Sequence, residues 1–148
     1  MANKDQGAVD RANVAWDTLQ AAADANNIDP AMLAAIAIRE SNFQNSTQKG
    51  GPGVGVFQIT VNAQTGVTAA QAQNLSWAAN YAANLLAWNT NYLSNKFPNF
   101  TPDQLSQATA AGYNFDPVKN IRGNPNMIDR RTTNNNYGSN ILLLMNCF

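Results

Sequence analysis

Residues 30–40, Pro-Ala-Met-Leu-Ala-Ala-Ile-Ala-Ile-Arg-Glu, form the most apolar helix-like run in this chain of 148 residues. Asp29 before the run and proline at its first position are typical of an N-capped helix. Apolar residues lie four and eight positions before Glu40, so the spacing places Glu40 on the apolar face of the predicted helix. Arg39 is rotated from it by about 100° and points elsewhere.

Glu40 is the only glutamate in the sequence, and the next acidic residue after it is Asp103. The chain also has no histidine and a single cysteine, Cys147, which we interpret as a small core residue. A Ser-His-Asp site, a Cys-His site and a histidine metal site are therefore excluded. If the protein is an enzyme, one carboxyl group carries its proton transfers.

The predicted position of Glu40 favours a protonated carboxyl group. Partial burial disfavours the carboxylate, and the partial negative charge at a helix C-terminus acts in the same direction. A carboxylic acid that stays protonated near neutral pH can serve as the general acid in glycoside cleavage. The alternatives are a Glu40 that ends its helix in solvent or one that pairs with an arginine. The glycine-rich residues 50–55 that follow favour close approach of a ligand.

Composition and charge limit the classes of partner. The length fits one domain over residues 1–148, and the formal net charge is zero. This balance argues against nucleic-acid binding and against adsorption to an anionic membrane. Uncharged amides dominate the polar residues, which suits either a neutral polymer such as a glycan or simply a surface of low charge. No stretch is long and apolar enough to span a membrane, and residues 1–6 resemble no signal region.

The pattern of apolar residues predicts helices nearly throughout. Val54–Thr60 is β-like but short, and residues 112–136 are expected to be mostly irregular. Capping signatures at Thr68 and Thr101 each open a helix. The predicted helices lie near residues 7–25, at 30–40, after 68, at 75–96, after 101 and from Tyr137.

Three segments together resemble the goose-type lysozyme and soluble lytic transglycosylase family. They are Arg39-Glu40-Ser41-Asn42-Phe43, Gly55-Val56-Phe57-Gln58-Ile59-Thr60 and Ala111-Gly112-Tyr113-Asn114. Residues 96–104 and 135–140 resemble further stretches of goose-type sequences, so the similarity covers roughly residues 29–145. The resemblance implies an all-α, two-lobed lysozyme-like fold with a substrate groove.

The resemblance also implies roles for individual residues. Glu40 would protonate the glycosidic oxygen and Ser41 would orient it. Gln58, with the backbone of Val56 and Phe57, would line the saccharide groove, although Gln58 could instead be a structural amide. Three further residues would complete the site, with half-buried core positions as the alternative for the two tyrosines. They are Tyr113 with its hydroxyl near Glu40, Asn114 supporting that loop or the substrate, and Tyr137 contacting sugar from the far side.

The sequence departs from the goose-type pattern where a second carboxylate is expected. Lys49, Gly50 and Thr60 occupy the segments in which goose-type enzymes carry aspartates. Inverting hydrolysis needs a second carboxylate about 6.5–9.5 Å from the acid, whereas a lytic transglycosylase needs one carboxyl group only. The sequence favours the transglycosylase, with Asp116 as a candidate second carboxylate.

The implied substrate is peptidoglycan, cleaved between N-acetylmuramic acid and N-acetylglucosamine, or a related N-acetylglucosamine-containing glycan. A goose-type-like chitinase, an inverting lysozyme and a non-catalytic glycan-binding module remain alternatives. We expect a monomer without cofactor or metal. We also expect action outside the cell, in the periplasm or after delivery by a phage, with no signal peptide visible in the chain.

Overall fold

The computed structural model describes residues 6–116, 119, 121 and 123–148. It is mostly helical with two short strands among these residues, which confirms the prediction of an all-α lysozyme-like fold. The chain divides into two compact units, Met1–Ala83 and Asn84–Phe148. The predicted single catalytic domain and its groove stay predictions.

The first unit is built around helix α3, Pro30–Ser41. Helices α1 (Gln6–Val14) and α2 (Trp16–Asn26) both pack against α3, whose residues from Met32 to Ile38 are all buried. The predicted cap is confirmed, because the Asp29 carboxylate accepts a hydrogen bond of 2.8 Å from the amide of Ala31. Helix α3 therefore begins and ends within one residue of the range expected from the sequence.

The single helix expected near residues 7–25 is two helices, so that prediction was wrong. Ala15 has φ −93° and ψ 8°, which ends the helical path between α1 and α2. Each of the two helices places its own apolar face on α3, and both faces repeat at the same helical spacing. Periodicity alone cannot reveal such a break, because the pattern continues on both sides of it.

A small antiparallel hairpin follows α3. Strands β1 (Gly53–Val54) and β2 (Ile59–Thr60) pair with Gly53 opposite Thr60, and Thr47 forms an additional bridge to Val54. Helix α4, Ala69–Gln73, begins at the predicted capping box of Thr68 and packs against β1. The short helix expected after Thr68 is confirmed. The β-like segment expected over Val54–Thr60 is strand only at its two ends, because residues 55–58 form the turn of the hairpin.

The 22-residue helix α5, Leu75–Lys96, begins in the first unit and continues into the second. Its bounds agree with the predicted 75–96. No charged residue occurs before Lys96, so its exposed positions carry mainly asparagine amides and aromatic rings. Within the described part of the chain, no helix is both long and apolar enough to cross a membrane.

The second unit pairs helix α6, Pro102–Asn114, with the C-terminal helix α7, Tyr137–Met145. Thr101 forms the predicted capping box at the start of α6. Two short 3-10 turns, Pro125–Met127 and Thr133–Asn135, lie between the helices. Helix α6 therefore includes Gly112, Tyr113 and Asn114, the first three residues of the region expected to be irregular. A buried cluster holds the unit together: Leu93, Ala108, Ala111, Ile121 and Ile128, with Phe97, Phe100 and Leu105 against it.

Candidate active site

Glu40 is the penultimate residue of α3, as the sequence predicts, and it is half-buried. The chain turns sharply just after it. Asn42 and Phe43 both adopt left-handed backbone angles, with φ of 53° and 57°, and their amides close the helix onto the carbonyls of Ile38 and Ala37. Two consecutive residues in this conformation are costly without glycine, so contacts elsewhere must hold the turn.

Arg11 supplies one of those contacts. Its Nε and Nη2 atoms donate to the carbonyl oxygen of Asn42 at 3.2 and 2.7 Å. A guanidinium at a helix C-terminus also interacts favourably with the partial negative charge there. Sequence reasoning missed Arg11, because 31 residues separate it from Asn42 and no local pattern joins them.

Ser41 connects the end of α3 to the hairpin. Its Oγ lies 2.8 Å from the carbonyl oxygen of Val56 and 3.1 Å from that of Ala37, and it accepts a hydrogen bond of 3.0 Å from the amide of Gln44. One hydroxyl carries one proton, and the shorter distance favours donation to Val56. The structure therefore brings together two of the predicted site segments, with Ser41 as the link next to Glu40.

Residues Gly55–Gln58 form the loop of the hairpin. Gly55 has φ 81°, and a Cβ atom built on it would lie 2.0 Å from the carbonyl oxygen of Ala72 in α4. Only glycine fits a position with both a left-handed angle and a backbone this close. Val56 is buried and Phe57 is 0 % exposed, so the Phe57 ring belongs to the core of the first unit.

The side-chain amide of Gln58 binds backbone carbonyls of the loop, as expected for a structural amide. Its Nε2 donates to the carbonyl oxygens of Ser46 at 2.9 Å and Gly55 at 2.8 Å, which employs both amide protons. These two carbonyls also determine the orientation of the amide, because only the nitrogen can donate to them. The same amide can still accept a hydrogen bond through Oε1, so its predicted contact with the saccharide stays a prediction.

Tyr113 and Asn114 end helix α6 in the second unit. Tyr113 is half-buried, and its predicted approach to Glu40 stays a prediction. The amide of Asn114 forms a reciprocal pair with Thr133: its Oδ1 accepts from the Thr133 backbone amide at 2.9 Å, and its Nδ2 lies 3.2 Å from the Thr133 hydroxyl. Asn114 thus supports the loop before α7, one of the two roles expected for it.

Tyr137, the first residue of α7, is 1 % exposed. Its ring lies in the core of the second unit, which is the alternative expected for it, and its contact with a sugar stays a prediction. Asp116 is exposed, and its Oδ2 lies 3.8 Å from Nζ of Lys119 in a surface ion pair. Its role as a second carboxylate stays a prediction.

Asp129 is a buried carboxylate that sequence reasoning missed. It accepts hydrogen bonds from the backbone amides of Gly138 at 2.5 Å and Ser139 at 2.9 Å, and from Nε2 of Gln107 at 2.8 Å. The carboxylate thereby caps the N-terminus of α7 and joins it to α6, an arrangement favoured by the helix dipole. Since Asp129 lies eight residues before α7, no capping pattern indicates it.

A family model described as lysozyme g matches residues 1–145. The chain belongs to the lysozyme g family. Members of this family are glycosidases that act on peptidoglycan, so the protein is an enzyme of this class. No curated protein matches the sequence significantly. Among the described residues of this lysozyme g member, no three His, Cys, Asp or Glu side chains group as a metal site would require.

Proposed function

We propose that this lysozyme g member is a lytic transglycosylase that cleaves the β-1,4 bond between N-acetylmuramic acid and N-acetylglucosamine with one carboxyl group. The observation that supports it most is the isolation of Glu40, the only acidic residue between Asp29 and Asp103. The hairpin loop linked to Glu40 through Ser41 contains no acid that could activate a water. Inverting hydrolysis would require such a group about 6.5–9.5 Å from the general acid.

Glu40 serves both proton transfers in this mechanism. The protonated carboxyl donates to the glycosidic oxygen, the bond from C1 to that oxygen breaks, and the N-acetylglucosamine end leaves as an alcohol. The resulting carboxylate accepts the proton of the muramoyl C6 hydroxyl, whose oxygen bonds to C1. The product ends in a 1,6-anhydro ring, no water is consumed, and Glu40 is protonated again.

Neighbouring groups would position Glu40 and the saccharide. Ser41 and Arg11 hold the chain on the C-terminal side of Glu40, which fixes the backbone from which the carboxyl group extends. Gln58 would accept a hydrogen bond from a sugar through Oε1, its two amide protons being engaged by carbonyls. Tyr113 and Asn114 would complete the site from the segment that resembles the family pattern.

Inverting hydrolysis is the second candidate, and the exposed carboxylate of Asp116 favours it. That residue lies two positions after Asn114, the last residue of α6. Chitin cleavage is a third reading, motivated by the zero net charge, and a non-catalytic glycan-binding module is a fourth, motivated by the missing aspartates.

The test is a digest of purified peptidoglycan by wild type, Glu40→Gln and Asp24→Asn, with the soluble products weighed by mass spectrometry. Asp24 is an exposed acid of α2 in the same unit, so its substitution makes the same replacement of a carboxyl group by an amide away from the site. We expect anhydromuropeptides from wild type and Asp24→Asn, and a loss of at least about a hundredfold with Glu40→Gln.

Each other outcome points to a different function. Products one water heavier would contradict transglycosylation. Asp116→Asn would then test whether Asp116 is the base that activates the water. Soluble oligomers from chitin, with peptidoglycan unchanged, would establish a chitinase. Glycan binding without turnover, equal in wild type and Glu40→Gln, would establish a binding module.

A further inference from the structure

We infer that the second unit contains a carboxylate-binding pocket for the acidic groups that distinguish peptidoglycan from neutral glycans. A surface pocket lies around the turns before α7. Met127 and Asp129 line it. Two arginines and three asparagines complete the lining: Arg130, Arg131, Asn124, Asn126 and Asn135. Naming a wall component as the ligand rests on the proposed function, whereas the chemistry of the pocket does not.

The two guanidinium groups are available to an anion. Arg130 and Arg131 are both exposed, and within the described residues neither forms an ion pair with a carboxylate. Nη1 of Arg130 lies 3.7 Å from Sδ of Met127, which is a weak acceptor. An unpaired guanidinium presents a planar set of donors that matches the two oxygens of a carboxylate.

Asp129 also lines the pocket, but its carboxylate is occupied. Its oxygens accept hydrogen bonds from the α7 amides and from Gln107, and the residue is 9 % exposed. The positive end of the α7 dipole offsets part of its charge. The two adjacent arginines therefore outnumber the one carboxylate of the pocket, and that carboxylate is directed into the protein.

The backbone at Arg131 is strained, because this residue with a long side chain adopts a left-handed angle. Its φ is 84°, a left-handed angle that favours glycine, and its amide is held by Oδ1 of Asn135 at 3.0 Å. Glycine at this position would adopt the angle at no steric cost. A long cationic side chain kept at a strained position beside a pocket indicates a use for that side chain.

The ligand chemistry follows from these groups. Two guanidiniums suit a carboxylate, and the surrounding asparagine amides suit the peptide and acetamido groups next to it. Peptidoglycan carries carboxylates on its stem peptides, and on the lactyl group of muramic acid where no stem peptide is attached, whereas chitin carries none. A pocket of this kind would let the enzyme prefer peptidoglycan despite a net charge of zero.

The test is a titration of the folded wild-type protein, followed by the chemical shifts of backbone amides. The ligands are N-acetylmuramyl-L-alanyl-D-glutamic acid, its diamide, N-acetylmuramic acid, glycerol 3-phosphate and chitotetraose. We expect the acidic muramyl peptide to shift the amides of Arg131 and Asn135, and the diamide and chitotetraose to leave them unchanged. N-acetylmuramic acid shows whether the lactyl carboxylate alone suffices or whether the stem peptide is needed.

Three variants make the assignment specific. Arg131→Gly and Arg130→Gln should each weaken binding about tenfold or more, as expected for the loss of a charge-assisted contact. Arg131→Gly should also raise the midpoint of thermal unfolding, because it relieves the strained angle, so weaker binding cannot be attributed to unfolding. Lys96→Gln removes an exposed charge elsewhere in the unit and should leave binding unchanged.

Several results would overturn the inference. Three results would contradict carboxylate binding at this pocket. They are binding of the diamide as tight as that of the acid, a weakening by Lys96→Gln as large as that by the arginine variants, and no response to any muramyl ligand. Tighter binding of glycerol 3-phosphate would assign it to phosphate instead of carboxylate. None of these binding results depends on turnover. Failure of the carboxylate pocket would leave the transglycosylase proposal intact, and a Glu40 that is not the acid would leave the pocket intact.

Discussion

Replacing Gly55 by alanine tests whether the hairpin loop must lie directly against α4. The new Cβ would lie 2.0 Å from the carbonyl oxygen of Ala72 and 2.9 Å from its carbonyl carbon. Both atoms belong to helix backbone and cannot rotate away. Gly66→Ala is the matched control, because Gly66 also has a positive φ, 67°, but nothing within 4 Å of its new Cβ.

The two substitutions share the cost of a left-handed angle, about 1–2 kcal/mol. Reduced freedom of the unfolded chain returns about 0.4–1 kcal/mol, so Gly66→Ala should lower the free energy of unfolding by about 0.5–1 kcal/mol. Gly55→Ala adds overpacking of about 1–3 kcal/mol, because α4 and the loop must separate. Its total is about 2–4 kcal/mol.

Thermal and urea unfolding followed by circular dichroism measure the difference. At about 2–4 °C per kcal/mol for this chain length, Gly55→Ala should lower the midpoint by about 4–16 °C and Gly66→Ala by about 1–4 °C. Equal losses in the two variants would refute the reasoning, since the left-handed angle would then explain everything. Peptidoglycan cleavage by folded Gly55→Ala should also fall, because the same loop carries Gln58.

Two further substitutions address the contacts that hold the site and the second unit. Ser41→Ala should lower the free energy of unfolding by about 1–2 kcal/mol, because the carbonyl of Val56 loses its donor. The control is Ser94→Ala, because the half-buried Ser94 hydroxyl donates only within its own helix, to the carbonyl of Asn91 at 2.9 Å. Equal unfolding midpoints of the two variants would contradict a link between helix and hairpin. Asp129→Asn should lower the free energy of unfolding by about 2–4 kcal/mol, because the NH2 group of the new amide would face N–H donors that now bind a carboxylate oxygen. Urea unfolding measures this loss, with the exposed Asp103→Asn as the control. A loss under about 0.5 kcal/mol would show that the charge of Asp129 is dispensable.

The helices could be predicted where their signals are local. Asp29, Thr68 and Thr101 each cap the helix that their sequence context indicates, and α5 has the predicted bounds. The break at Ala15 could not be predicted, because the apolar spacing continues through it. Capping acts over three or four residues, whereas the break depends on how two helices pack on a third.

The candidate site shows the same division. Glu40 lies at the helix end that periodicity predicts, but the contacts that support the site join distant residues. Arg11 contacts Asn42, and Ser41 contacts Val56, 15 residues later. Such contacts depend on tertiary structure, so no local sequence signal predicts them. The burial of Tyr137 likewise arises in the folded second unit, and its sequence context is equally compatible with an exposed ring.

The absence of charge along α5 has a consequence for the medium in which the protein works. Mobile ions screen interactions between charges, while packing and hydrogen bonds between neutral groups do not depend on that screening. Helix α5 carries no charged residue before Lys96, and its polar positions are mainly asparagines. The longest helix of this lysozyme g member is therefore held together independently of ionic strength, in fresh water as in brine.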